Sequence, residues 1–350
     1  MTVSFVARTW RPMDLWSRQL AMEFSALMIR PFLAAGLLAA ACSSPSATDP
    51  AQPETGFSAS PYTVQFHDST RALAALETLS SDEFGGRLTG EPGNARARAW
   101  IIDQLDARGV TPLLPGGYEA PFDTASFSEM KGGVSGTNLL AVINDQPGAP
   151  VIVMSAHYDH VGMGENGIYN GADDNASGVA ALLEAISWFQ QNAPETTLVF
   201  AFFDAEEMGI SGSAAFVHDL PEQIEDRLAF NLNLDMVSRA DKGEIFAVGT
   251  YHYPELVPVI DAVAAETPLT LSKGHDSPEW GNQDWSTLSD HAPFLRAGIP
   301  IIYLGVEDHA DYHKVTDTFD RVDPDTFARA VDTVLMVAEA IDEHVASETE

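Results

Sequence analysis

Three apolar runs in the middle of the chain each stop on side chains that can hold a cation, and this constrains the fold more than any other feature. Val151-Ile-Val-Met leads into Ser155-Ala-His157-Tyr-Asp159-His160, Thr196-Thr-Leu-Val-Phe-Ala-Phe-Phe-Asp204 into Ala205-Glu206-Glu207, and Leu228-Ala-Phe-Asn-Leu-Asn-Leu into Asp235. Short β-branched and aromatic runs that are apolar throughout predict strands covered on both faces. Pro300-Ile-Ile-Tyr-Leu-Gly is a fourth such run, and Asp311-Tyr312-His313 follows it. Helical spacing is expected over 71–79, 94–109, 176–186, 213–220, 255–266 and 325–345, the second helix closed by Gly109, with one more strand at 137–143. The alternation predicts an α/β fold: a three-layer α/β/α sandwich with a mixed, mostly parallel central sheet. Sites in such sheets gather beyond the carboxyl ends of the strands, where each of these acids stands.

The local chemistry sharpens this. His157 and Asp159 fall on one face of an extended segment, so the carboxylate can accept the imidazole's second N–H while the ring binds a metal; His160 then points the other way. Asp173, Asp174 and Asn175 precede an amphipathic helix pattern, where a carboxylate either caps the helix or turns back to share a cation with His157. Taken singly, a hydrogen-bonded core histidine and an ordinary helix cap explain these residues equally well. The acids downstream shift the balance. Glu206 and Glu207 diverge as neighbours, so one can bind metal while the other serves as general base. With Asp174, the chain offers two histidines and three carboxylates, a set that suits two zinc ions sharing one bridging carboxylate.

Of the 350 residues, 51 are acidic and 18 basic, a net charge of −33 that argues against nucleic acid or an anionic membrane as an electrostatic partner. The single cysteine excludes a disulfide within one chain. It follows Met28-Ile-Arg-Pro and the apolar stretch from Phe32 to Ala41, which resembles a bacterial lipoprotein signal, although Ala39 stands where leucine is usual. The run is too short for a resident spanning helix. Residues 1–41 are therefore expected to be a signal segment with a mis-called upstream extension, the true start being Met28 or Met22. Residues 42–65, rich in Ser, Pro, Thr and Ala, are expected to be a tether lipidated on Cys42, and 66–350 a single folded domain. Ser43 is not an inner-membrane retention acid, so the expected location is the periplasmic side of the outer membrane.

As a set, His157-Tyr-Asp159, Gly171-Ala-Asp-Asp174-Asn-Ala-Ser-Gly, Ala205-Glu206-Glu207-Met-Gly, Asn233-Leu-Asp235-Met, Ser289-Asp-His and Tyr312-His313 resemble the co-catalytic zinc aminopeptidases of the bacterial leucine aminopeptidase type, relatives of glutamate carboxypeptidase II. The resemblance runs from about residue 70 onward, in the family's order. It implies two zinc ions bridged by Asp174, with His157 and Asp235 on one and Glu207 and His313 on the other. Glu206 would be the general base, Asp159 would orient His157, and Asp173 would be a helix cap. Peptides would be the substrates and an aminopeptidase the activity. Tyr312 would either bond the tetrahedral oxyanion or simply pack beside His313. His160, His275, His291 and His309 are set aside as ligands. Trp280 and Trp285 would wall a side-chain pocket or pack their loop. Glutaminyl cyclase, carboxypeptidase or dipeptidase action, and a binding module without chemistry, are the alternatives on the same fold.

Overall fold

Side chains alternate along the buried strands, and the two faces they present fill two separate cores. Ile152, Met154, Ala156, Phe200, Phe202, Leu232 and Leu234 look to one side; Val151, Val153, Val199, Ala201 and Phe203 look to the other. The computed structural model describes residues 62–126, 133 and 135–348; the expected signal segment and most of the tether lie outside them.

The main sheet has nine strands. β1 (Thr111–Pro112) and β2 (Glu119–Asp123) pair antiparallel with β3 (Ser135–Ile143), and β3 pairs antiparallel with β7 (Thr197–Phe203). The centre is parallel: β7 against β4 (Val151–His157), β4 against β8 (Leu228–Leu234), and β8 against β11 (Ile301–Gly305). β9 (Glu244–Val248) then runs antiparallel to β11 and parallel to β10 (Thr270–Lys273). The parallel order is thus concentrated in the middle, where the expected ligands are, and the β1–β3 side is antiparallel. A hairpin of β5 (Gly162–Gly164) and β6 (Gly167–Tyr169) stands apart from this sheet, in the stretch that reads from sequence as a glycine-rich loop.

One face carries α1 (Ser69–Leu79), α2 (Pro92–Arg108), α3 (Gly178–Phe189), α5 (Val257–Ala264) and α7 (Pro324–Ser347); the other carries α4 (Ser211–His218) and α6 (Ala292–Arg296). This is the expected three-layer sandwich. Gly109 closes α2 in the left-handed conformation at φ 62°. The helix expected to be amphipathic, α3, is instead buried on nearly every side, because it lies between the sheet and the helices α1 and α7. Its one acid, Glu184, is paired with Arg71 at 2.6 and 2.7 Å. The described chain begins by docking onto α7: Asp332 accepts from Tyr62 Oη at 2.6 Å and from the backbone of Gln65 at 2.9 Å, and lies 2.7 Å from His67 Nδ1.

Candidate metal centre

Four of the five ligands expected from sequence, and the expected base, are delivered by the end of a central strand or the loop after it. His157 closes β4, Glu206 and Glu207 follow β7, Asp235 follows β8, and His313 sits in the loop beyond β11 at φ 52°. Asp174 comes from the turn Ala172–Ser177 before α3, where its own backbone is extended (φ −102°, ψ 95°). Gly178 lets this turn approach β8: a Cβ there would lie 2.4 Å from Asn175 Oδ1 and 2.6 Å from the Leu234 carbonyl oxygen.

The side chains converge in two groups that share Asp174. In the first, His157 Nε2 is 3.3 Å from Asp174 Oδ1 and 3.2 Å from Asp235 Oδ1. In the second, His313 Nε2 is 3.0 Å from Asp174 Oδ2 and 3.2 Å from Glu207 Oε2. Asp174 therefore turns one oxygen to each group. Separations near 3 Å between imidazole nitrogens and carboxylate oxygens are what tetrahedral ligands at bond lengths of about 2 Å require, so the donors fit zinc in both number and kind. Without an ion, the same proximity works as a set of ion pairs. Against burial, the histidines around it hold Asp174 well below the ordinary carboxylate range, while Asp174 and Glu207 raise His313 to about 10. Glu206 moves the other way: burial, helped by Asp235, Asp290 and Glu207, holds its carboxyl well above the ordinary range despite His157. Asp235 is raised chiefly by burial and accepts a 2.6 Å hydrogen bond from Ser289 Oγ.

A buried frame holds these groups. Asp159 has its backbone carbonyl 3.3 Å from His157 Nδ1 and its carboxylate 3.6 Å away, while that carboxylate accepts the backbone N–H groups of Glu206 and Glu207. It serves the acid pair at least as directly as the imidazole. Beneath it, Asp204 accepts from Thr89, Asn94, Tyr158 and the Thr137 backbone. Arg87, 1% exposed, spends its guanidinium on carbonyls: those of Tyr158, Leu79, Asn170 and Gly171, at 2.6–2.9 Å. Burial lowers its pKa to about 10. The backbone N–H groups of Asp173 and Asp174 donate to Asp317. Neither Arg87 nor Asp317 announces itself in the sequence, since both act through partners far away in the chain.

A model of peptidase family M28 matches residues 138–338. The chain belongs to that family. Among curated relatives, it is 29% identical to leupeptin-inactivating enzyme 1 of Streptomyces exfoliatus over 295 residues, covering 82% of this chain and 58% of that protein. It is 30% identical to the probable lipoprotein aminopeptidase LpqL of Mycobacterium tuberculosis over 278 residues, covering 72% and 53%. The chain thus spans little more than half the length of these two relatives. Among solved structures, BSAP, a zinc aminopeptidase from Bacillus subtilis, superposes with a TM-score of 0.61 at 16% identity over 79% of this chain and 95% of that one. The glutaminyl cyclase of Porphyromonas gingivalis gives 0.63 at 19% identity over 80% and 99%. These two likenesses show the fold alone.

Two expectations about the M28 chain need correction. Asp173 is not a helix cap: its Oδ1 accepts from Ser238 N, Ser238 Oγ and Arg239 N, tying down the loop after β8. Asn175 binds the first turn of α3, its Oδ1 accepting from Gly178 N. His160 does not point away but joins the second group, with Nδ1 2.7 Å from Glu207 Oε1. Alternation fails there because β4 ends at His157. The other histidines set aside have structural partners. His275 is stacked between Trp280 and Trp285, His291 lies 2.9 Å from the Trp285 carbonyl oxygen, and His309 Nε2 lies 3.1 Å from Asp173. Trp285 is buried in this stack and packs its loop, whereas Trp280 is 42% exposed. Tyr312 stacks on His313 with ring centroids 4.0 Å apart.

Proposed function

We propose that the chain is a metallo-aminopeptidase that holds two zinc ions, one among His157, Asp174 and Asp235 and one among Asp174, Glu207 and His313. The observation that carries this is the division of the Asp174 carboxylate, Oδ1 toward His157 and Oδ2 toward His313. Bound there, zinc would supply a Lewis acid for a peptide carbonyl and for water. Glu206 takes the proton from the attacking water and returns it to the leaving amine; a carboxyl held above its ordinary range suits that return. Asp159 fixes the Glu206 backbone and the His157 ring. Membership of M28 and the aminopeptidase name of LpqL support the choice of reaction.

Hydrolysis of aminoacyl p-nitroanilides, free and N-acetylated, by protein expressed from Ser43 onward tests this. Chelator-sensitive cleavage of the free-amine substrates alone is expected. Cyclisation of N-terminal glutamine by a one-zinc protein would overturn it in favour of a glutaminyl cyclase, and cleavage of carboxyl-terminal residues in favour of a carboxypeptidase. We also propose that Cys42 carries a lipid that holds the enzyme on the periplasmic side of the outer membrane. The pattern from Met28 to Ser43 supports this, as does the name of LpqL. Metabolic labelling with palmitate should mark the wild type and not Cys42→Ser.

A further inference from the structure

Among the described residues, His160 is the one histidine outside the proposed ligand set whose donor atoms face the centre. Its ring is fully buried, and neither nitrogen has a hydrogen-bond partner. Glu207 Oε1, 2.7 Å from Nδ1, is likewise buried without one, because the contact lacks the alignment of a hydrogen bond. Asp174 Oδ2 lies 3.8 Å from the same nitrogen, and the His313 ring is 5.8 Å away between centroids. Two buried donor atoms facing each other unbonded leave polar surface unpaid, whereas a cation between them and Asp174 satisfies both.

The ring is held in this position. Gly171 packs flat against it at φ 56°: a Cβ there would lie 2.5 Å from His160 Cδ2 and 2.6 Å from Cγ. The His160 backbone N–H donates to the Arg87 carbonyl at 3.4 Å, so the same arginine that gathers the surrounding carbonyls also anchors this residue. The Cβ at position 171 would also lie 2.1 Å from the Asp174 carbonyl oxygen, so hydrogen alone fits between the imidazole and the turn that carries Asp174.

We propose that His160 ligates, through Nδ1, the ion held by Asp174, Glu207 and His313. This rests on the two-zinc reading above and makes its halves unequal. Four protein donors close a tetrahedral zinc shell, while the three from His157, Asp174 and Asp235 leave a position free for water or substrate. The four-donor site fills first and most tightly; the three-donor site, beside Glu206, is the exchangeable one.

Zinc K-edge absorption of the metal-stripped full chain, reloaded with zinc, tests this without relying on turnover. At one equivalent, two imidazoles per zinc are expected, against one if His160 is not a ligand, whichever site fills. At two equivalents, three imidazoles are shared by two zincs. In His160→Gln the count should fall to one per zinc, and the tighter dissociation constant, read by competition with a chromogenic chelator, should rise by about 100-fold or more, with two zincs still bound at saturation. One imidazole per zinc in a wild type that binds two ions overturns the proposal and leaves the two-zinc reading standing. A wild type that binds no zinc overturns both. The wild-type count decides the matter even if the variant does not fold.

Discussion

Asp159 Oδ1 accepts the Glu206 backbone N–H at 3.0 Å, a bond that joins the end of β4 to the turn after β7. Through it, the residue that places His157 also places the proposed base. The position of that base is therefore set by a neighbouring strand, and the centre behaves as one unit.

Replacing Glu206 by Gln keeps the shape of the site and removes the proton acceptor. Turnover should fall by about 10²–10⁴-fold, the range for a general base, while zinc content and melting temperature stay near wild type. Residual turnover within a few-fold of wild type would sink the assigned role.

Asp159→Asn should act on several groups at once. An amide turns an N–H toward one of the two backbone donors that the carboxylate now accepts from Glu206 and Glu207, and it weakens the field that favours His157 as a ligand. Zinc affinity is expected to drop by about 10–100-fold. A chelator competition titration measures it, and an unchanged affinity would show that the carboxylate is dispensable.

Arg87→Met leaves the carbonyls of Leu79, Tyr158, Asn170 and Gly171 without their donor in a dry interior. Each orphaned acceptor costs about 1–3 kcal/mol, so the variant should lose at least ~3 kcal/mol in urea unfolding. A loss below ~1 kcal/mol would mean that water replaces the guanidinium.

Asp332 yields a pH dependence with a definite sign. Against burial, hydrogen bonds from His67, Tyr62 and the Gln65 backbone hold its carboxyl below the ordinary value. A depressed folded pKa gives stability that is present above the unfolded value, 3.8, and is lost as pH falls through the folded one. Asp332→Asn should be destabilised by about 1.5–3 kcal/mol at pH 7, and the gap to wild type should narrow as pH falls below 3.8. Thermal melts from pH 7 to 2.5 follow both proteins; a gap that is constant with pH would rule out the carboxylate's charge as its source.

The strands and the acids that end them were legible because burial on both faces writes itself as an unbroken apolar run. β9 and β10 were not: Glu244-Ile-Phe-Ala-Val and Thr270-Leu-Ser-Lys are short and flanked by polar residues, and they become strands by pairing with each other and, for β9, with β11. Strand alternation misplaced His160, since it holds only while the strand lasts. Asp173 looked like a cap because three polar residues before a helix usually contain one, and that task fell to Asn175.

By itself, the order of residues determined the layered α/β class, because burial on both faces of a strand is written in local composition; the proposed donor set came from the motifs' resemblance to a family. Only the tertiary structure decided how the donors divide. The turn Ala172–Ser177 passes close to β8 at Gly178, and Arg87, Asp159 and Asp317 hold backbone segments far apart in sequence. Hydrogen bonds to backbone groups leave no pattern along the chain, yet they aim one oxygen of Asp174 at each histidine and bring His160 to Glu207.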